Sequence, residues 1–448
     1  MDPDLHLDIR FHWIGVGMAQ DETTVSTPIL RRHVAAAVVG NALEFYDFTA
    51  YAFFAVQIGN SFFPTHTPFG RLMLSLATFG AGFVTRPLGA VVIGAVGDRA
   101  GRRPAMLISF ALMGLAVIGL ALTPPFAVIG PMAGVLGVTA RLIQGFALGG
   151  EVGPVTAFLV EAAPAGRRGF YGALQNASQG LSGLAAGLVG LGLSNLLSAQ
   201  SLQSWGWRLA FLIGAAVLPF GLLLRRALPE TLHGSDRAGQ SAGPSKAHGR
   251  TRAIGLGLGL IMSSTTATYV LLYMNTYATT VLYMKTNLAF AATSVFGACG
   301  LVFGALGGAL SDRIGRKPVM FWPAAVLMAV AYPAFALISA RRDAAALLGA
   351  TGLMSTLLAL SLGARLVSLA EALPRTARSA GVAVTYASMV AVFGGATQPL
   401  LAWLIHLTGD VLAPAWYLMA TTAFGLAAAA LMPETRPCAT VTHRPISA

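Results

Sequence analysis

Apolar residues in this chain come in blocks of roughly 20 or more, separated by short polar knots. The blocks do not alternate apolar and polar positions, so membrane-barrel strands are not indicated. They predict twelve helices: residues 31–58, 70–96, 105–122, 126–162, 170–197 and a sixth from after Arg208 to Arg226, then 253–283, 288–310, 319–340, 344–373, 379–407 and 414–432. These are numbered below as the first to twelfth spans. One polar connection is long. Residues 229–252 are rich in Pro, Gly, Ser and basic groups and read as a flexible linker between two six-helix halves, 31–228 and 253–432. Residues 1–30 read as a disordered extension rather than a signal peptide, with Met18 a second candidate start, and 433–448 as a tail.

The two halves echo each other. Gly94-Ala-Val-Gly-Asp98-Arg99-Ala-Gly101-Arg102-Arg103-Pro104 returns as Gly308-Ala-Leu-Ser-Asp312-Arg313-Ile-Gly315-Arg316-Lys317-Pro318, an offset of 312 − 98 = 214. Glu161-Ala-Ala-Pro164 with Arg168 returns as Glu371-Ala-Leu-Pro374 with Arg378, and Pro229-Glu230-Thr231 as Pro433-Glu434-Thr435. Duplicated six-helix units related by an axis along the membrane normal describe a secondary transporter with its site between the halves. The expected fold class is therefore an all-α membrane protein of twelve transmembrane helices in two six-helix halves.

Composition agrees. Apolar residues make up 55% of the 448, charged residues 10%, and mean hydropathy is +0.69; a soluble domain carries about a quarter charged residues. The net charge of +12 raises nucleic acid as a partner, but position decides against it. Of 29 Lys and Arg, five (Arg71, Arg208, Lys285, Arg341, Arg342) fall at one set of span ends and three (Arg86, Arg141, Arg365) inside spans, leaving 29 − 5 − 3 = 21 at the other set or in the tails. By the positive-inside rule both termini are cytoplasmic. Cys299 and Cys438 offer neither a disulfide nor a metal site. No Gly-x4-Gly-Lys-Ser/Thr loop is present, so ATP is not expected to drive the protein. No nucleophile or zinc spacing suggests an enzyme. No cofactor is expected, and the chain is expected to be monomeric.

Ionisable residues at bilayer depth are costly and mark function by default. Glu44 and Asp47, three apart in the first span, share a helix face. Two carboxylates shielded together do not both stay ionised readily, which suits proton coupling; a structural ion pair with Arg86 or Arg141 is the alternative. Glu151, between Gly150 and Gly153, is a further coupling candidate. Arg86 and Arg141 are candidate ligands for an anionic solute, because a guanidinium presents a planar fork to a carboxylate. Gln175 and Gln179 in the fifth span, and Tyr269 and Tyr273 in the seventh, could hydrogen-bond an oxygen-rich substrate or serve as helix–helix contacts. In the knots, Asp98, Arg99, Arg102, Arg103, Glu161 and Arg168, with Asp312, Arg313, Arg316, Glu371 and Arg378, can make ion pairs that form on one side and break as the halves rock.

The doubled Gly-x3-Asp-Arg-x-Gly-Arg-Arg/Lys resembles the signature of the major facilitator superfamily. Gly40-Asn41-Ala-Leu-Glu44-Phe-Tyr-Asp47-Phe48, Arg86-Pro-Leu-Gly89, Arg141-Leu-Ile-Gln-Gly-Phe-Ala-Leu-Gly-Gly-Glu151, Gly169-Phe-Tyr-Gly172 and Trp205-Gly-Trp-Arg208 resemble its metabolite:proton symporter branch. Gln175-Asn-Ala-Ser-Gln179, Phe393-Gly-Gly-Ala-Thr397 and Leu407-Thr-Gly-Asp410 resemble bacterial citrate or tricarballylate proton symporters. The resemblance implies uptake of a small carboxylate with protons across a bacterial inner membrane by alternating access. It implies coupling by Glu44 and Asp47, and substrate contacts from Arg86 and Arg141, with Asn41 among the candidates. Arg365 departs from the pattern. It could grip another carboxylate, mark a different acid, or lie too near the cytoplasm to touch substrate.

Overall fold

The computed structural model describes residues 31–100, 102–149, 152–164, 166–226, 247–372 and 385–434. Among these residues every regular element is helical, and all twelve spans are present. The first span is Arg31–Phe53 continued by Ala55–Phe62. The second is Pro68–Val84 and Arg86–Ala100, divided at Thr85, whose hydroxyl donates to the Leu142 carbonyl (2.7 Å). Pro87, with no N–H to give, follows this division. The third is Arg102–Leu122, the fifth Arg168–Leu196, the sixth Trp207–Arg226 and the eighth to tenth Thr286–Ile314, Arg316–Arg341 and Ala344–Ala372. The twelfth is Ala413–Leu431. Among the described residues, eight helices are long and apolar enough to cross a membrane by length and composition alone.

Two expectations change in detail. The fourth span is not one helix from 126. A turn at Phe126–Ile129 ends on Gly130 in the left-handed region (φ 61°), and the span proper is Met132–Gly149 followed by Val152–Glu161. The seventh span starts at Ala247, inside the stretch expected to be linker, runs to Leu272 and closes through a π turn, Tyr277–Val281. The eleventh, described over Thr385–Thr408, contains another π turn, Val390–Gly394, before Gly395–Thr408. Residues 1–30, Glu151, Arg378 and Cys438 lie outside the described residues, as do the side chains of Asp98, Arg99, Arg102, Arg103 and Glu161.

Burial separates into two large apolar cores. One gathers Phe45, Phe62, Phe79, Val117 and Trp207 from the first half; the other gathers Val270, Met274, Phe335, Met354 and Leu418 from the second. Two seams join them. The fifth and eighth spans touch from Gly169 against Asp312 at one end to Asn195 against Asn287 (3.2 Å) at the other. Their backbones meet directly. A Cβ on Gly180 or Gly297 would drive into the facing backbone at Leu301 or Leu184, so only glycine permits this approach. The second and eleventh spans touch at Gly80 against Gly395 and at a stacked Phe69–His406 pair (centroids 3.8 Å).

Candidate substrate and proton site

The first span is a hub. Asn41 Nδ2 donates to Ser178 Oγ (2.6 Å), and Ser182 Oγ donates to the Ala42 carbonyl (2.7 Å), fixing the span to the fifth. Tyr46 donates to the Ala210 carbonyl (3.0 Å) of the sixth. Tyr51 reaches the Ser75 carbonyl (3.4 Å) of the second. These ties fix the span's rotation, so Phe45, Phe48 and Thr49 face the interface between halves while Asp47 turns back into its own half.

Asp47 is 1% exposed, lies directly against Gly214 of the sixth span, and neither carboxylate oxygen has a hydrogen-bond partner. Arg141 is within electrostatic reach of it. A carboxylate buried this way is costly when charged and calls for a proton or a neighbouring cation. Glu44 is also buried, one turn away on the same span.

Arg141 and Arg86 lie near one another, both buried. Arg141 donates to Gln144 Oε1 one turn along its own helix. Its guanidinium sits over the rings of Phe48 (4.7 Å), Tyr51 (4.5 Å) and Phe79 (5.0 Å). Arg86 sits over Phe48 (4.5 Å) and Phe83 (4.2 Å) and meets Tyr269 from the second half. Nε and Nη2 of each guanidinium have no hydrogen-bond partner. Aromatic faces stabilise a desolvated cation, but they leave its directional donors unused. The pair can therefore still accept an oxyanion.

Beside this pair, a cavity of about 100 Å³ lies between the halves. Gln179 and Asn176 of the fifth span, Thr265, Thr268 and Tyr269 of the seventh, and Tyr386 of the eleventh contribute polar groups to its wall. Tyr386 is hydrogen-bonded to Gln179 and faces Arg86.

Other sequence candidates sit elsewhere. Gln175 is fully buried and accepts from Thr156 (3.2 Å) of the fourth span, off the cavity wall. Tyr273 is buried in the second core beside Tyr277. Arg365 donates to the Leu260 carbonyl (3.2 Å) of the seventh span and is likewise not on the wall. Asn41 is held by Ser178. The residues sequence reasoning passed over are the aromatics Phe48, Phe79 and Phe83, together with Tyr386 and Gln144. Phe79 and Phe83 are four apart and so share a helix face, a signal that was available.

At the knot end, Asp312 of the eighth span accepts from the backbone N–H groups of Gly169 (2.8 Å) and Phe170 (2.9 Å), the first turn of the fifth span in the other half. Arg316, fully buried, bridges Asp312 (2.7 Å) and Glu371 (3.2 Å). Glu434 accepts from the N–H groups of Arg316 (2.8 Å) and Lys317 (3.0 Å), capping the ninth span, and Gly315 (φ 105°) makes the turn. Arg313 and Arg168 are exposed.

The chain is similar to known transporters. A Sugar (and other) transporter family model matches residues 33–240. The citrate-proton symporter of Salmonella typhi is 35% identical over 88% of this chain and 92% of its own length. The chain belongs to the major facilitator superfamily. Its place is in the metabolite:proton symporter branch; it is a multi-pass transporter of the bacterial inner membrane and not an enzyme. A proline/betaine transporter of Escherichia coli K12 is 31% identical over 93% of this chain and 86% of its own. The crystal structure of a D-xylose-proton symporter has the same fold, with a TM-score of 0.73, 20% identity, and coverage of 91% of this chain and 98% of that one.

Proposed function

We propose that this transporter takes up citrate or a related tricarboxylate together with protons, by alternating access. The observation that carries the reading is the pair of adjacent buried guanidinium groups, Arg86 and Arg141, met by Tyr269 across the interface and by Asp47 from behind. Two cations so close in apolar surroundings repel each other, and a solute with two or more carboxylates relieves both at once. A zwitterion with one carboxylate relieves only one. The likeness to citrate-proton symporters points the same way.

Coupling follows from competition for Arg141. Ionised Asp47 holds that guanidinium by charge; a proton on Asp47 releases it to the substrate. Proton and substrate then favour each other's binding, which is the thermodynamic requirement for symport. Glu44 is positioned to share the proton, and Glu151 keeps its candidacy from sequence. The halves, residues 31–228 and 253–432, rock about the site, with both termini in the cytoplasm. The Asp312 bridge to the fifth span, its partner knot at Asp98, Arg99, Arg102 and Arg103, and Glu161, Arg168, Arg313, Glu371 and Arg378 bias which face is open.

Purified protein in liposomes, given labelled citrate with and without an inward proton gradient, tests this. Gradient-driven accumulation abolished by uncoupler is the expected result. Its absence with folded protein removes citrate. A competition panel of tricarballylate, succinate, 2-oxoglutarate and betaine then separates the runner-up, a dicarboxylate symporter, from a zwitterion carrier.

A further inference from the structure

The ring of Phe48 lies between the cavity and both substrate-side arginines. It forms part of the cavity wall, whereas neither guanidinium does. Its ring also packs on Arg86 at 4.5 Å and on Arg141 at 4.7 Å. Phe79 at 4.8 Å and Phe83 at 5.0 Å complete the surround, and Phe83 meets Tyr269 at 5.4 Å. Phe48 therefore packs on both cations and lines the cavity at once. Its place on the first span is fixed by the hydrogen bonds of Asn41, Tyr46 and Tyr51 to three other helices.

We propose that Phe48 is a shutter, a specificity-determining side chain that covers the two guanidinium groups in this state and swings aside to admit substrate. In the covered state the ring face takes the place of a counter-ion for each arginine. Opening gives up both contacts at once. A solute with two carboxylates replaces both with charge-assisted hydrogen bonds to the free Nε and Nη2 donors. A monocarboxylate replaces one and leaves the other arginine bare. The shutter thus discriminates by the number of carboxylates a solute can present together, and it shields the cations from solvent when none is bound. This inference rests on the polycarboxylate reading above but has a readout independent of transport.

The test compares wild type with Phe48→Ala and Phe48→Leu in the full chain. Arginine-specific modification by phenylglyoxal is followed at Arg86 and Arg141 by mass spectrometry, after thermal melting has shown each protein to be folded. Wild type is expected to react slowly at both sites. Phe48→Ala is expected to react roughly tenfold faster at both, as befits loss of a desolvated cation–π contact. Phe48→Leu, which fills the space without a π face and is the variant used if Phe48→Ala does not fold, is expected to fall between. Unchanged modification in a folded variant overturns the shutter, even where citrate transport is intact. Faster modification with no protection by citrate or succinate keeps the shutter and overturns the polycarboxylate reading. With uptake measurable, Phe48→Ala is also expected to lower the preference for citrate over a monocarboxylate such as acetate; an unchanged preference refutes the specificity role.

Discussion

Asp47 and Arg141 make the sharpest claims at the scale of single residues. Asp47→Asn mimics the protonated acid. It is expected to keep citrate exchange across the membrane but lose accumulation driven by a proton gradient. Loss of exchange and accumulation together would make Asp47 a structural residue. Arg141→Lys keeps a charge but loses the fork and much of the contact with three rings. Citrate affinity is expected to drop about tenfold or more, the scale of one charge-assisted hydrogen bond, read by equilibrium binding in detergent. The importance of these residues could be read from the chain, because ions inside apolar runs stand out. Their wrapping could not: the rings on Arg141 come from the first and second spans, and only packing brings them together. Arg365 shows the same limit, since its depth was countable but its partner, the Leu260 carbonyl, was not.

Helices act as rigid elements here because glycine lets them touch. A methyl group at Gly180 would collide with the Leu301 backbone, whereas at Gly183 its nearest neighbour is Gly297 Cα at 3.4 Å. Gly180→Ala is therefore expected to destabilise by about 1–3 kcal/mol and Gly183→Ala far less, measured as melting temperature in detergent. Equal effects would refute the direct-contact account of the seam. The tenth span makes a pH prediction. Asp343 accepts the Ala346 N–H (2.7 Å) ahead of that span and pairs with Arg341 (3.0 Å). The backbone bond first, then Arg341, holds its carboxyl below the usual range. A depressed folded pKa gives stability that is present above the unfolded carboxylate value and lost as pH falls through the folded one. Asp343→Asn should flatten the acid side of the melting profile slightly, since the group is exposed. Apolar block lengths located all twelve spans, while the breaks at Thr85 and Gly130 depend on turns that hydropathy averages away.

Across the whole molecule, the Asp312 carboxylate of one half holds the first amides of a helix in the other. Asp312→Asn weakens two charge-assisted bonds. At about 1.5–3 kcal/mol for such a bond, the balance between the two faces should move about tenfold or more. Cysteine pairs placed across the knot end would read this as slower cross-linking; unchanged rates would show that the bridge does not bias the cycle. The repeat pointed to Asp312 and its neighbours from sequence. It also flagged Glu434, but only as an echo, because nothing in one dimension says that an acid ending the twelfth span faces the start of the ninth.

That contact also sets an order of assembly. The Arg316 amide finds its acceptor 118 residues later, in Glu434. At about 5–20 residues per second, the ribosome supplies that carboxylate on the order of ten seconds after the amide it caps. Until then the ninth span leaves the ribosome with its first amides unclaimed, and the second half closes its knot end only when the twelfth span arrives.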